Sequence, residues 1–190
     1  MTSDAIADTT ATTPETADET ADETATTDVM ADEPATTDAM AEDEMVLPAW
    51  QTIALTDVDG ASFTLADFRG TPVFVETFAT WCPNCKQQLE ATNAAAERLG
   101  DQAVFIALSV ETDLSSGDVA EYATDNGFDA VRFAVMTPEA LAAFVDGLGQ
   151  SAANPPSTPK VVIDAVGHAG ELVTGSESAD DIVSKVTGQG

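Results

Sequence analysis

The chain has 190 residues, of which 34 are acidic and 6 basic, for a net charge of −28. A field of that sign repels nucleic acid and anionic membrane surfaces and argues against both as partners. Fourteen of the acids lie in residues 1–45, which hold no Lys or Arg. The other 20 acids face all 6 bases, a net of −14 over 145 residues, enough chain for one domain with a real core.

Residues 1–45 are almost wholly Ala, Thr, Asp, Glu, Met and Pro, with no aromatic residue. Such a segment cannot bury enough apolar surface to offset its ordering entropy, so it reads as a disordered acidic arm. It repeats itself: Thr16–Glu19 recurs as Thr20–Glu23, and Thr26–Ala31 is echoed by Thr36–Ala41. These units have no hydrophobic face to stack, so the repeat is low complexity and the arm a charged spacer. Met30, Met40 and Met45 offer soft ligands suited to Cu(I), but without the preorganisation a metal site wants. No basic region with a signal-length apolar run opens the sequence, and no stretch approaches the ~18 apolar residues of a membrane span.

From Val46 to Gly190 a single domain is expected, with strands and helices in alternation. Gln51–Thr56 and Ala61–Thr64 read as strands around the turn Asp57-Val58-Asp59-Gly60. Leu65–Phe68 is a short turn closed by Gly70. Val73–Phe78 is a buried strand interrupted by Glu76. Pro83–Leu99 reads as a helix with Gly100 as its left-handed cap, and Ala103–Val110 as a second buried strand. A helix over Asp118–Asn126 stops at Gly127, and a strand follows at Val131–Val135. Thr137-Pro138-Glu139 supplies an N-cap and an N1 proline for a helix running to Leu148. Val161–Asp164 and Glu171–Thr174 read as a hairpin, and Ala179–Val186 as a closing helix. Strands alternating with helices predict an α/β fold with a central mixed sheet and helices on both faces.

The chemistry concentrates at Trp81-Cys82-Pro83-Asn84-Cys85. Cys82 and Cys85 are the only cysteines, and they fall between a strand and a helix. A CxxC pair in that context is the signature of a thioredoxin-like redox site. A helix N-terminus carries unpaired N–H groups and a partial positive charge, which favours a Cys82 thiolate. Cys85, one turn into the helix, is expected to be more buried. Cys82 would attack a substrate disulfide and Cys85 would resolve the mixed disulfide. A merely structural disulfide closing so short a loop would be a poor staple. A zinc site needs about four ligands, and beyond the cysteines the sequence offers only His168, in a Gly-flanked turn.

Phe78-Ala79-Thr80-Trp81-Cys82-Pro83-Asn84-Cys85-Lys86 resembles the active-site motif of the thioredoxin superfamily, and is most similar to the TlpA/ResA-like thiol–disulfide oxidoreductases of bacterial cell envelopes. The resemblance covers about residues 46–187. Leu65–Gly70 looks like the group's segment between the N-terminal hairpin and the active-site strand. Ser157-Thr158-Pro159 looks like the superfamily's cis-proline loop. The resemblance implies a thioredoxin-like fold with an N-terminal β-hairpin and one strand–helix insert. It implies a cis Pro159 opposite Cys82 and a Thr158 backbone that pairs with an extended substrate. Trp81, Pro83, Thr158 and Pro159 are thus the expected substrate contacts. Glu76, six positions before Cys82, matches a buried carboxylate that moves the proton of the resolving cysteine in thioredoxins. Burial should raise its pKa toward the value such a shuttle needs.

Two rival classes resemble the same fold. A peroxiredoxin would need Thr or Ser three positions before its reactive cysteine, where this chain has Ala79. A Sco-like copper-delivery protein would want CxxxC and a downstream metal-binding His; here the spacing is CxxC. The expectation is a monomeric thiol–disulfide oxidoreductase of the envelope, acting as a reductase. Its partners would be protein thiols and disulfides and an upstream electron donor. It would need no cofactor and no metal, and a leader would supply any membrane tether.

Overall fold

The computed structural model describes residues 46–188. The readings made for residues 1–45, the disordered arm and its methionine tract, lie outside the described residues.

The apolar run Val73–Phe78 forms the interior strand β3, buried along its whole length. A strand walled in on both faces needs apolar residues at every position, and here only Glu76 and Thr77 break the run. Around it stand β1 (Leu55–Asp57), β2 (Ser62–Phe63), β4 (Val104–Ser109), β5 (Arg132–Val135) and β6 (Lys160–Ile163), in the order β2-β1-β5-β4-β3-β6. β3, β4 and β5 run parallel, and β6, β1 and β2 pair antiparallel. The sheet is mixed, as expected.

Strand periodicity divides the core. Phe74 and Phe78 face one side, with Leu89, Val119 and Ile182 from helices α2 (Pro83–Leu99), α3 (Ser116–Asn126) and α5 (Ala179–Val186). Val73 and Val75 face the other, with Trp50 and Phe144 from helices α1 (Ala49–Thr52) and α4 (Pro138–Leu148). Each fully buried aromatic or aliphatic side chain contributes about 2 kcal/mol by removal from water. Hydroxyl caps start three of the helices: Ser115, Thr137 and Ser178 each accept the N–H three residues on. Between β4 and β6 the chain inserts α3, β5 and α4, and β5 with α4 forms the expected strand–helix element.

Four local expectations are corrected. Gln51–Thr56 is not one strand: Ala49–Thr52 is helical, and only Leu55–Asp57 pairs. Trp50 decides this by packing edge-on against Phe144 at 5.4 Å between centroids, a contact from 94 residues away in sequence. Glu171–Thr174 is not a strand either; isolated bridges join Lys160 to Val173 and Ile163 to Ala169. Gly100 caps α2 at φ 52°, ψ −128°, outside the left-handed helical region, whereas Gly127 caps α3 inside it at φ 69°, ψ 35°. Among the described residues there is no cis peptide bond, so the bond to Pro159 is trans. Chain reversal falls instead on Thr158, at φ 47°, ψ 62°. A trans bond is the intrinsically preferred isomer before proline.

Candidate active site

Cys82 caps α2 with extended backbone, and its Sγ accepts the N–H of Cys85 at 3.2 Å. Pro83 occupies the first helical position, where a missing N–H costs nothing and φ is already set. Cys82 and Cys85 form a disulfide with their Cα atoms 5.3 Å apart. Both are 2% exposed, so the expected difference in burial between them is absent. The polar groups beside each sulfur distinguish them instead. Cys82 Sγ faces a donor, while Cys85 Sγ lies 3.2 Å from the carbonyl oxygen of Pro155. On reduction, a donor favours negative charge on Cys82 and an acceptor favours a retained proton on Cys85. The helix dipole acts in the same sense at Cys82.

The loop ahead of the motif is held from the segment that follows β4. Glu111 Oε2 accepts from the N–H of Thr80 at 2.6 Å and from its hydroxyl at 2.9 Å. On the other side the segment 154–158 closes over the motif, with Asn84 Nδ2 donating to Pro156 O at 3.1 Å. Trp81 is 62% exposed beside these buried sulfurs, and Pro83 is exposed as well. Thr158 and Pro159 are buried. The backbone of Thr158 is already engaged: its N–H donates to Pro155 O and its carbonyl accepts from Lys160 Nζ, both at 2.7 Å. An extended substrate segment would have to displace the first of these to pair with Thr158 N–H.

Glu76 points to the α2 side of the sheet, by its period-two position between Phe74 and Phe78. It is 3% exposed, and its Oε1 has no hydrogen-bond partner among the described residues. Burial pushes its pKa up from 4.5 to about 7, while the Thr92 hydroxyl and the Lys160 ammonium pull the other way. Cys85, Gln88 and Thr92 recur at helical spacing on the buried face of α2. Tyr122 of α3 stacks on Phe78, and burial followed by the charges of Glu76, Glu90 and Glu111 pushes its hydroxyl up to about 12. The structure thus gathers Cys82, Cys85 and the 154–159 segment at one end of α2, with Glu76 on the sheet beneath that helix. His168 lies elsewhere, against Asp164 at 3.4 Å and in a cleft with Trp50 and Gly147.

Sequence reasoning missed Lys160, fully buried and directly opposite Glu76 in the β3–β6 register. The signal available was a lone cation opening an otherwise apolar strand. Glu111 was missed too, since nothing local ties it to Thr80.

A disulfide at a helix N-terminus, on a mixed sheet of this order, defines the class: a thioredoxin-like thiol–disulfide oxidoreductase. The chain belongs to the AhpC/TSA family, whose sequence profile matches residues 47–146. It is 27% identical over 128 residues to the thiol-disulfide oxidoreductase ResA of Geobacillus thermodenitrificans, a match covering 67% of this chain and 68% of that one. Its fold is shared with MTB DsbF, with a TM-score of 0.59 at 18% identity over 76% of this chain and 99% of that one. The exposed lipoprotein thioredoxin Etrx1 of Streptococcus pneumoniae also matches, with a TM-score of 0.59 at 21% identity over 72% and 98%.

Proposed function

We propose that this protein reduces disulfides in protein substrates of the cell envelope, with Cys82 as nucleophile, Cys85 as resolver and Glu76 as proton acceptor. The observation that carries the roles is the opposite polarity of the groups the two sulfurs face, the Cys85 N–H at Cys82 Sγ and the Pro155 carbonyl oxygen at Cys85 Sγ. The Cys82 thiolate attacks a substrate disulfide, forms a mixed disulfide and expels one substrate thiolate, which takes a proton from solvent. Cys85 then gives its proton to the Glu76 carboxylate, and its thiolate attacks Cys82 Sγ. The Cys82–substrate bond breaks, the second substrate thiolate leaves and is protonated, and the Cys82–Cys85 disulfide forms. Glu76 returns its proton to solvent. A carboxyl with a pKa of about 7 exchanges protons readily near neutrality.

The exposed Trp81 and Pro83 form the substrate-facing rim in this reading, and buried Thr158 and Pro159 meet substrate once the Thr158 N–H leaves Pro155 O. Ala79, fully buried, puts no hydroxyl where a peroxidase would use one, which supports disulfide exchange over peroxide reduction. The envelope setting extends to this chain what the pneumococcal neighbour's name says of that protein. The arm 1–45 then serves as a spacer between the domain 46–190 and a membrane tether.

Trapping tests the roles. Cys85→Ser should accumulate a mixed disulfide with a reducible protein substrate such as insulin, and Cys82→Ser should not. Accumulation with Cys82→Ser instead would reverse the assignment. The reduction potential of the pair tests direction: a value near −270 mV supports a reductase, and one near −120 mV would make it an oxidase.

A further inference from the structure

Lys160 is the one charged residue of β6, and it is fully buried. An ammonium taken out of water is costly and persists only where it is paired or hydrogen-bonded. Here its Nζ donates to the carbonyl oxygens of Thr158 and Gly175. Those bonds fix the side chain between the turn that carries Thr158 and the segment before α5. Across the ladder its Cα partner is that of Glu76, the one charged residue of β3. Two buried charges of opposite sign thus stand on adjacent antiparallel strands, one tied to the 158 turn and the other on the α2 side of the sheet.

We propose that Lys160 is a positioning residue for disulfide exchange: anchored on Thr158 and Gly175, its ammonium keeps Glu76 ionised and so available as the proton acceptor for Cys85. The proposal rests on the role given to Glu76 above. The groups that face the pair are few. Glu76 feels the Thr92 hydroxyl of α2 and is paired with uncharged Ala107 across β4, and its charge reaches Tyr122 of α3, which also feels Glu90 and Glu111. Lys160 feels Lys185 of α5, which is itself paired with Glu177. A cavity of about 280 Å³, walled by Phe74, Val162, Val173, Glu177 and Lys185, adjoins Lys160 on that side. Tyr122 stays neutral through neutral pH, and the positive charge acting on Glu76 is that of Lys160.

Burial pushes the Lys160 pKa down from 10.5 to about 8, and Glu76 pulls it back up. Burial pushes Glu76 up to about 7, and Lys160 pulls it back down. Each therefore holds the other in its charged form. Removing the ammonium should leave Glu76 protonated to higher pH.

The test is single-turnover oxidation of the reduced protein by oxidised glutathione, followed across about pH 5 to 9. In the wild type the resolving step should rise with pH as Glu76 ionises, and that limb should vanish in Glu76→Gln. In Lys160→Met the limb should move up by about one pH unit, which slows the step roughly fivefold at neutrality. Lys160→Arg should return it toward the wild-type position, which a purely structural role would not require. A limb lost in Glu76→Gln but unmoved in Lys160→Met overturns the Lys160 proposal and leaves Glu76 its role. A limb that survives Glu76→Gln overturns both. Should Lys160→Met fail to fold, nitrogen NMR of Lys160 in the wild type decides the matter. Its Nζ resonance should shift over the pH interval in which Glu76 titrates, and a resonance indifferent to Glu76 overturns the proposal.

Discussion

Replacing Glu76 with Gln should change how stability depends on pH, by an amount set by burial. Glu76 is 3% exposed, and its pKa is raised from 4.5 to about 7, chiefly by desolvation. For an acid whose pKa is raised on folding, the folded state binds more protons than the unfolded state between the two values. Stability then falls as pH rises through that interval, and the loss is complete above it. At ~1.4 kcal/mol per pH unit, the displacement from 4.5 to about 7 costs the ionised protein about 3 kcal/mol. Below pH 4.5 that cost is absent. Gln keeps the shape and carries no charge, so relative to wild type Glu76→Gln should gain about 3 kcal/mol on going from about pH 4.5 to about pH 8. Lys160 has the opposite sign: in the wild type its lowered pKa gives stability that grows only as pH rises past about 8, and in Glu76→Gln, without the carboxylate that raises it, that growth begins lower and adds to the gain. Urea denaturation of both oxidised proteins, followed by tryptophan fluorescence at each pH, measures the gap. Parallel stability curves across that window would refute the reasoning.

Two further predictions come from packing and loop geometry. A Cβ on Gly147 would sit 2.2 Å from Trp50 Cδ1, so Gly147→Ala should destabilise by about 1–3 kcal/mol despite the ~1 kcal/mol that alanine gains in a helix; thermal unfolding checks the sign. Glu111→Ala leaves the Thr80 N–H and hydroxyl without their acceptor and should cost about 1–3 kcal/mol. It should also slow insulin reduction by loosening the motif, and unchanged turnover would show that Glu111 does not hold it.

The elements whose cause is local were legible in the sequence. The N-cap and N1 proline of α4 bound it at Pro138 to Leu148, as read. The turn at Asp57–Gly60 formed because Asp57 Oδ1 captures two following N–H groups. Val73–Phe78 and Pro83–Leu99 fell where the apolar run and the helix-compatible stretch placed them. The redox pair was equally plain, because two cysteines at that spacing before a helix carry their chemistry in the spacing itself. Errors appeared where a distant residue overrode local preference, as Phe144 did at Trp50.

Cys82 and Cys85 as a pair, the alternation of strands and helices, and the oddity of Glu76 in an apolar strand are all written in the chain. Those follow from periodicity, capping and composition, which act within a few residues. Long-range packing was needed to place β6 beside β3 with Lys160 against Glu76, to set Pro155 rather than depth of burial as what separates the two sulfurs, and to turn the chain at Thr158 with a trans Pro159. Strand order and register join residues some eighty positions apart. The electrostatics of a buried carboxyl depend on which charge the fold brings beside it, and no local pattern encodes that neighbour.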